Sequence, residues 1–224
     1  MCGRFTLTVD PAKLMGVFKD FTFPTQFAPR YNISPAQPIL AIPNNEKNKA
    51  DFFLWGLIPS WAKDPAISNK LINARGETIA EKPSFRGSYK YKRCIIPADG
   101  FYEWKVQTGQ KTKTPYFIHM KDSLPFALAG LWDEWHSPAG NTIRSCTIIT
   151  TTPNELMSDL HNRMPVILDQ QHFSDWLNPM PQTSGNLIHL IQPFPAERMS
   201  AYPVSTLVNT PVNDHPELIL PLEK

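Results

Sequence analysis

Cysteine is the second residue of the chain and directly follows the initiator methionine. If the cell trims Met1, Cys2 carries a free α-amine and a thiol on adjacent carbons. The amine ordinarily titrates at a pKa of about 8 and the thiol at about 8.5, so each has a reactive fraction at neutral pH. Such a pair can act as an N-terminal nucleophile with its own base, or it can close a thiazolidine ring on an aldehyde. In an untrimmed chain Cys2 is merely the second residue, and the imine route is closed.

Polar residues near the N-terminus and near position 75 suit a site for an anion or a carbonyl group. Gly3 has no Cβ and lets the backbone approach a ligand, while Arg4 adds a guanidinium that can grip phosphate or carboxylate at two points. Asn73 and Arg75 stand in what the sequence predicts to be a short turn before a helix. Capping of that helix is the alternative role for Asn73.

A glutamate lies inside the aromatic segment ADGFYEW. In a strand, Glu103 shares a face with Phe101, and partial burial there would raise its pKa toward that of a general acid or base. The alternative is an edge-strand carboxylate paired with Lys105 or Lys113. His161 closes a predicted helix and is a second candidate for proton transfer, with a packed or capping histidine as its alternative.

The composition of the 224 residues excludes several other classes of protein. Apolar residues make up 42% and charged residues 19%, which indicates a globular chain rather than a disordered one. No apolar run reaches the roughly 18 residues of a membrane span, and the N-terminus lacks the pattern of a secretory signal. The three cysteines have no metal-binding spacing, so we expect no metal site, no cofactor, and a reducing, cytoplasmic location.

Charge is distributed unevenly along the chain. The net charge is only +2, yet the stretch 82–113 contains eight basic and two acidic residues. A local basic face on a weakly charged protein can hold phosphates, and the alternative is a solvated hairpin rich in Lys and Arg.

Segments typical of strands outnumber segments typical of helices. We predict strands at 3–8, 38–43, 51–58, 93–97, 101–106, 115–121, 126–134, 143–151 and 164–168. We predict helices at 10–20, 154–162 and 170–177, a loop at 24–37, and within 71–85 a loop leading into a short helix that ends near Pro83. This pattern favours an α+β fold, with one domain over 1–224 (core about 2–215) around a mixed, strongly curved, barrel-like β-sheet with scattered short helices.

Six motifs occur together and in order: MCGRF at the start, RYNISP (30–35), WGLIPSW (55–61), NAR.E (73–77), P-ADGFYEW (97–104) and H.RMP (161–165). In these motifs, from Cys2 to about residue 215, the chain resembles the abasic-site processing family, also called SOS-response-associated peptidases. The resemblance implies a sensor and shield of abasic sites in single-stranded DNA.

The resemblance also implies roles for individual residues. Cys2 would condense with the ring-opened sugar aldehyde to form a thiazolidine DNA–protein crosslink. Asn73 would position the Cys2 amine or the sugar, Glu103 would shuttle protons, and His161 would bind the opened sugar's hydroxyl or phosphate and assist proton transfer. Schiff-base lyase activity and self-processing of a peptidase kind are expected at the same site.

Binding of single-stranded DNA would use further side chains. The best phosphate ligands would be Arg4, Arg75 and Arg163, with Lys82 and Arg86 as weaker candidates. Trp61 would stack on a base beside the lesion, and Asn32 would touch the DNA backbone or order Cys2. The remaining tryptophans that the sequence assigns to core packing are Trp55, Trp104, Trp132 and Trp135. We expect a monomer with no membrane contact.

Two other functions stay open from the residues alone. One is a peptidase or amidase that uses Cys2 as an N-terminal nucleophile and has no DNA substrate. The other is a non-enzymatic nucleic-acid-binding module that uses the basic stretch 82–113.

Overall fold

The computed structural model describes residues 2–45, 47–107, 112–183 and 185–222. Two residues that enter the sequence predictions, Met1 and Lys111, lie outside these ranges. In chain order the strands are β1 (Phe5–Leu7), β2 (Arg30–Ile33), β3 (Pro38–Pro43), β4 (Asp51–Trp55), β5 (Asn73–Arg75), β6 (Arg93–Ala98), β7 (Gly100–Val106), β8 (Lys113–Met120), β9 (Phe126–His136), β10 (Thr142–Thr151), β11 (Met164–Pro165), β12 (Ile167–Leu168) and β13 (Met199–Pro203).

The helices are short and scattered between the strands. The α-helices in the described ranges are α1 (Pro11–Val17), α2 (Arg86–Tyr91), α3 (Glu155–Ser158) and α4 (Phe173–Trp176). Segments of 3-10 helix lie at Pro65–Lys70, Gly76–Thr78, Gln170–His172, Ile188–Leu190, Ala196–Arg198, Thr206–Asn209 and Pro216–Ile219. None of the helices in the described part of the chain has the length and apolar character that a membrane span requires.

Strands β10, β4, β3, β6 and β9 form a closed barrel, because β9 pairs with β10 as well as with β6. The β4–β10 pair is parallel, with Cys146 opposite Trp55, and the other pairs of the ring are antiparallel. The sheet is therefore mixed and strongly curved, which confirms the predicted α+β fold. Closure leaves these strands without open hydrogen-bonding edges.

Strand β6 of the barrel is covered on both faces. All six residues of β6 are buried, so this strand has no solvent-facing side. A Cβ at Gly130 in β9 would lie 2.9 Å from the Cys94 Sγ atom and from the Thr147 carbonyl oxygen. Only glycine fits at this point of close approach between β9 and its neighbours.

A second, antiparallel sheet has the order β13-β8-β7-β1-β2. It packs on the barrel through aromatic contacts, with ring centroids 5.2 Å apart for Phe5 and Trp55 and 6.5 Å apart for Phe101 and Phe126. Edge-to-face geometry of this kind adds about 0.5–1.5 kcal/mol per pair beyond area burial. The N-terminal strand β1 is thereby held inside the molecule rather than at its periphery.

Three local predictions are wrong. The stretch 24–37, predicted as a loop, contains strand β2. In the stretch 71–85, strand β5 stands where a loop was predicted, and the short helix that follows is a 3-10 segment at Gly76–Thr78 that ends well before Pro83. Helix α2 begins three residues after Pro83 and was not predicted. Short strands such as β5 exist because a distant partner, here β10, offers hydrogen bonds, and no local pattern reveals that partner.

Candidate active site

The antiparallel pairing of β1 with β7 places the N-terminus beside Glu103. Phe5 lies opposite Phe101, and the Tyr102 N–H donates to the Arg4 carbonyl oxygen at 3.0 Å. Continuing this register from Phe5 by three residues brings Cys2 to the level of Trp104, next to Glu103. The far end of β1 is anchored by Asp99, whose carboxylate accepts from the backbone N–H groups of residues 8 and 9 at 2.6 and 2.9 Å.

Asn73 contacts Cys2 directly. Its Nδ2 atom donates to the Cys2 carbonyl oxygen at 3.0 Å. Asn73 lies in β5, parallel to β10 with Ile148 opposite, so the helix-capping alternative is wrong. Its Oδ1 atom is buried and has no hydrogen-bond partner among the described residues. A buried acceptor of this kind is ready to receive an N–H or O–H group at this position.

Glu103 is almost fully buried, at 2% exposure. Its strand β7 lies between β1 and β8, so the edge-strand alternative is wrong. Burial raises the pKa of the Glu103 carboxyl, while the positive charges of the amino terminus and of Lys113 oppose the rise. A carboxyl in this environment keeps its proton to higher pH than a surface glutamate and can both give and accept one.

His161 has a defined tautomer. The Arg163 N–H donates to His161 Nδ1 at 3.1 Å, so in the neutral ring the proton sits on Nε2. Burial lowers the pKa of His161, and the positive charges of the amino terminus, Lys113 and Arg163 lower it further. At neutral pH the ring is therefore an uncharged Nε2–H donor.

A cleft of about 380 Å³ connects Glu103 with His161, and it is lined by Arg4, Glu103, Trp104, Lys113, His161 and Asn209. Cys2 and Asn73 are not part of this lining. Trp104 was predicted to be a core residue, and this is wrong in part because its ring forms a wall of the cleft. Its Nε1 donates to Asn209 Oδ1 at 2.7 Å, and the Arg4 guanidinium lies 5.8 Å from its centroid. Sequence reasoning missed Asn209 entirely, and it treated Lys113 as an ion-pair partner or as part of the basic stretch 82–113, since both residues come from segments without a motif.

The C-terminal segment is fixed beneath Arg4 by Asn32. The Asn32 Nδ2 donates to the carbonyl oxygens of residues 208, 210 and 213 at 3.2, 3.2 and 2.7 Å. Arg4 Nη1 donates to Asn32 Oδ1 at 2.6 Å and to the Val208 carbonyl oxygen at 2.8 Å. Asn32 is fully buried, so in this arrangement it orders Arg4 and the segment that carries Asn209.

Strand β10 brings the other two functional segments together. Thr150 lies opposite Arg75 on one side and opposite Pro165 on the other, so β5 and β11 flank the same strand end. Arg163 grips the Glu77 carboxylate with both Nη atoms, at 2.5 and 3.0 Å, and the Thr150 carbonyl oxygen at 2.7 Å. Arg75 is exposed. The ion pair of Arg163 with Glu77 thus connects the turn that holds His161 to the strand that holds Asn73.

The remaining predicted binding residues lie outside the cleft lining. Trp61 is 59% exposed and lines a separate groove next to α2. Lys82 and Arg86 are exposed just before and at the start of α2. The prediction of core packing holds better for the other three tryptophans. Trp55 and Trp135 are buried, and Trp132 is partly buried against the core.

Cys2 is fully buried in the chain that retains Met1. Burial raises the pKa of the Cys2 thiol well above its ordinary value, and the negative charge of Glu103 raises it further. The thiol is then protonated at neutral pH, in contrast to the reactive fraction expected for the free residue. No group of three or more His, Cys, Asp or Glu side chains within the described residues is arranged to hold a metal ion.

The chain is similar to proteins whose names state a function. A family model described as SOS response associated peptidase (SRAP) matches residues 1–211. The abasic site processing protein YoqW of Bacillus subtilis (strain 168) is 51% identical over 222 residues, covering 98% of this chain and 99% of that protein. The abasic site processing protein HMCES of Gallus gallus is 33% identical over 267 residues, covering 100% of this chain and 78% of that protein.

Solved structures share the fold. A crystal structure of a protein from Bacteroides thetaiotaomicron matches with a TM-score of 0.88 at 29% identity, covering 99% of this chain and 100% of that one. One from Bordetella bronchiseptica matches with a TM-score of 0.79 at 27% identity, covering 91% and 100%.

Proposed function

Because this chain belongs to the SOS response associated peptidase family, we propose that it processes abasic sites in single-stranded DNA by covalent capture on Cys2. Its relatives are named abasic site processing proteins, which supports an abasic site as the substrate. The observation that carries the proposal is the hydrogen bond from Asn73 to the Cys2 carbonyl, which holds the second residue beside Glu103 and the His161 cleft.

The proposed reaction balances without any redox step. After Met1 is removed, the Cys2 amine adds to the C1′ aldehyde of the ring-opened sugar to give a carbinolamine. Loss of one water gives an imine, and addition of the thiol S–H across the C=N bond closes the thiazolidine. One water leaves in total, and C1′ ends bonded to both nitrogen and sulfur.

Glu103 is the proposed proton carrier for these steps. Its raised pKa supports this role, because the carboxyl must protonate the departing hydroxyl and then, as carboxylate, take up a proton. The negative charge of Glu103 raises the pKa of the Cys2 thiol, which supports a position of the carboxylate close to Cys2. The thiol, protonated while buried, would pass its proton to a neighbour of this kind during ring closure.

His161 is proposed to donate its Nε2–H to the opened sugar's hydroxyl or to a phosphate oxygen. The bond from the Arg163 N–H to Nδ1 supports a donor rather than an acceptor on the cleft side. An imine at C1′ acidifies C2′, so strand scission by β-elimination competes with ring closure. The protective outcome requires closure to be faster than elimination.

The test of the proposed function uses single-stranded oligonucleotides with and without one abasic site, incubated with protein whose intact mass lacks Met1. We expect a denaturation-resistant complex with the abasic strand alone. Peptide hydrolysis without that complex would support the peptidase or amidase alternative. Salt-sensitive binding that ignores the lesion would support the non-enzymatic module. The monomeric state, the cytoplasmic location and the single domain over 1–224 stay predictions.

Arg75 is proposed to bind a phosphate beside the lesion. Its side chain is exposed and lies two residues after Asn73 in the same strand, β5. Arg75→Ala should weaken capture of abasic DNA and leave reaction with a small aldehyde unchanged. The measurement compares initial rates on both substrates. The control is Arg198→Ala, since Arg198 forms an ion pair with Asp169 and lies outside the cleft lining. Equal losses on both substrates would refute the phosphate contact.

Glu77 occupies the guanidinium fork of Arg163 that a phosphate would otherwise use. We therefore expect Glu77→Gln to tighten binding of single-stranded DNA several-fold. The slope of log affinity against log salt should steepen by about 0.7, the value for one more phosphate contact on a single strand. Fluorescence anisotropy at several salt concentrations measures both, with the exposed Glu81→Gln as control. Weaker binding would mean that Glu77 orients Arg163 instead of masking it.

A further inference from the structure

The lining of the cleft favours a small anionic ligand. Its two cationic side chains are Arg4 and Lys113, and Lys113 is exposed to solvent. The carboxylate of the lining, Glu103, is only 2% exposed. A ligand that enters from solvent therefore meets the Lys113 ammonium at the surface, while the negative charge is held inside. Such a distribution of charge concentrates anions over neutral molecules.

Hydrogen-bond donors surround the same space. The Asn209 Oδ1 accepts from Trp104 Nε1 at 2.7 Å, which leaves the Asn209 Nδ2 as a donor. The Lys113 ammonium adds further donors, and the Arg4 guanidinium lies 5.8 Å from the centroid of the Trp104 ring. Phosphate oxygens accept several hydrogen bonds at once and bind most strongly to charged donors. The lining therefore suits a phosphate group.

The two strands beside β7 bring the reactive group and the exposed cation near each other. Cys2 precedes β1 at the level of Trp104, and Lys113 begins β8 opposite Val106. Two strand spacings and two residues of rise separate the Cα atoms of Cys2 and Lys113 by about 12 Å. The lysine side chain lines the same cleft as Glu103 and so covers part of that distance. A ligand that spans the remainder has its electrophilic carbon and its anionic group only a few atoms apart.

The volume of the cleft fits a free small molecule. A space of about 380 Å³ lies toward the lower end of the roughly 300–1,000 Å³ of small-molecule sites. In glyceraldehyde 3-phosphate the phosphate ester is on the second carbon beyond the aldehyde carbon. The ring-opened abasic sugar has the same spacing between C1′ and the carbon that carries the 3′-phosphate. A site built for one of these groupings therefore accommodates the other.

We propose that the Cys2 aminothiol also captures free short-chain aldehydes that carry a phosphate, with Lys113 and Arg4 holding the phosphate, and that these aldehydes compete with DNA for the site. The inference rests on the proposed function for the removal of Met1 and for the chemistry of Cys2. It adds a second class of substrate, small phosphorylated aldehydes, and it assigns Lys113 the selection of that class.

The capture step balances without an oxidant or a further reactant. The amine adds to the aldehyde carbon, one water leaves to give the imine, and the S–H adds across the C=N bond. The phosphate stays on the captured molecule and no bond to it breaks. The protein gains the mass of the aldehyde less one water.

The first experiment incubates protein that lacks Met1 with glyceraldehyde 3-phosphate or with glyceraldehyde and follows the intact mass under denaturing conditions. We expect the gain on the N-terminal peptide. Each rate is divided by the rate of the same aldehyde with free cysteine, which removes differences in intrinsic reactivity. After this correction the phosphorylated aldehyde should react at least about tenfold faster, the effect of one or two hydrogen bonds to a charged group. Equal corrected rates would overturn the inference.

Lys113→Gln tests the assigned residue through the ratio of the two corrected rates. The ratio should fall several-fold, because the exposed ammonium no longer binds the phosphate. Lys113 also affects the pKa of Glu103, and the ratio cancels this effect since both aldehydes undergo the same steps. Lys121→Gln is the matched control, because Lys121 is exposed just after the other end of β8 and lies outside the lining. A ratio that Lys113→Gln leaves at the wild-type value would overturn the inference.

Competition in the wild type needs no variant and separates this inference from the proposed function. Protein that carries the glyceraldehyde 3-phosphate adduct should crosslink abasic DNA more slowly than untreated protein, and undiminished crosslinking would overturn the inference. Crosslinking to DNA with no preference for the phosphorylated aldehyde would defeat the inference alone. Selective capture of that aldehyde with no covalent complex on the abasic strand would defeat the proposed function alone.

Discussion

Cys2→Ala should form no denaturation-resistant complex with abasic single-stranded DNA. The variant keeps an α-amine after Met1 is removed, so it can still form an imine at C1′, but it has no sulfur to close the ring. The imine hydrolyses when the protein is denatured. Gel electrophoresis under denaturing conditions, run beside wild-type protein of confirmed N-terminal mass, measures the difference.

The same variant should cleave the strand faster than the wild type. Ring closure no longer removes the imine, so β-elimination at C2′ proceeds without competition. Borohydride should trap the imine of Cys2→Ala as a stable complex, which separates loss of sulfur from loss of binding. A variant that retains Met1 is a second comparison, because its α-amine and thiol lie on different residues, and it should give no complex that resists denaturation without borohydride. A stable complex of Cys2→Ala without borohydride would contradict the thiazolidine.

Glu103→Gln should slow formation of the covalent complex by about 10²–10⁴-fold, the range for loss of a positioned acid–base group. Glutamine matches the shape of the buried side chain but cannot carry a proton between the amine, the hydroxyl and the thiol. Single-turnover rates at saturating DNA measure the effect without a contribution from binding. Glu197→Gln, on an exposed 3-10 segment, provides the control for charge alone.

The pH profile of the rate of complex formation tests the role of Glu103 separately. Burial raises the pKa of Glu103, so its titration should appear as an inflection in the rate above the ordinary glutamate value of about 4.3. That inflection should be missing in Glu103→Gln. The pKa of His161 is lowered, so its own inflection should fall below about 6.5 and remain in both proteins. Identical profiles for both proteins would remove Glu103 from the proton transfers.

The family and the fold class were accessible from the sequence. Six ordered motifs identified the family, and the family match over residues 1–211 confirms it. Strand periodicity located most barrel strands within a few residues; β3, for example, has the predicted bounds 38–43. These signals are local, because alternation along a strand and turn residues at its ends depend on neighbours in the chain.

The closure of the barrel and the membership of the cleft depend on contacts between distant segments. Strand β5 exists because it pairs with β10, and this pairing carries Asn73 to Cys2 across 71 positions of sequence. Asn209 and Trp104 meet only because Asn32 fastens the C-terminal segment beneath Arg4. Asn209 lies in no motif that would mark it, and the ADGFYEW motif that contains Trp104 does not reveal that the two residues meet.

For Cys2, too, one part of the chemistry follows from the sequence and another part only from the tertiary structure. The sequence by itself determined that an aminothiol becomes available when Met1 is removed, since this follows from covalent structure. Only the tertiary structure decided that the thiol is buried and protonated beside Glu103 while Met1 is present. The physical reason is that a pKa depends on solvent and charge within a few ångströms, and those surroundings come from strands far apart in the chain.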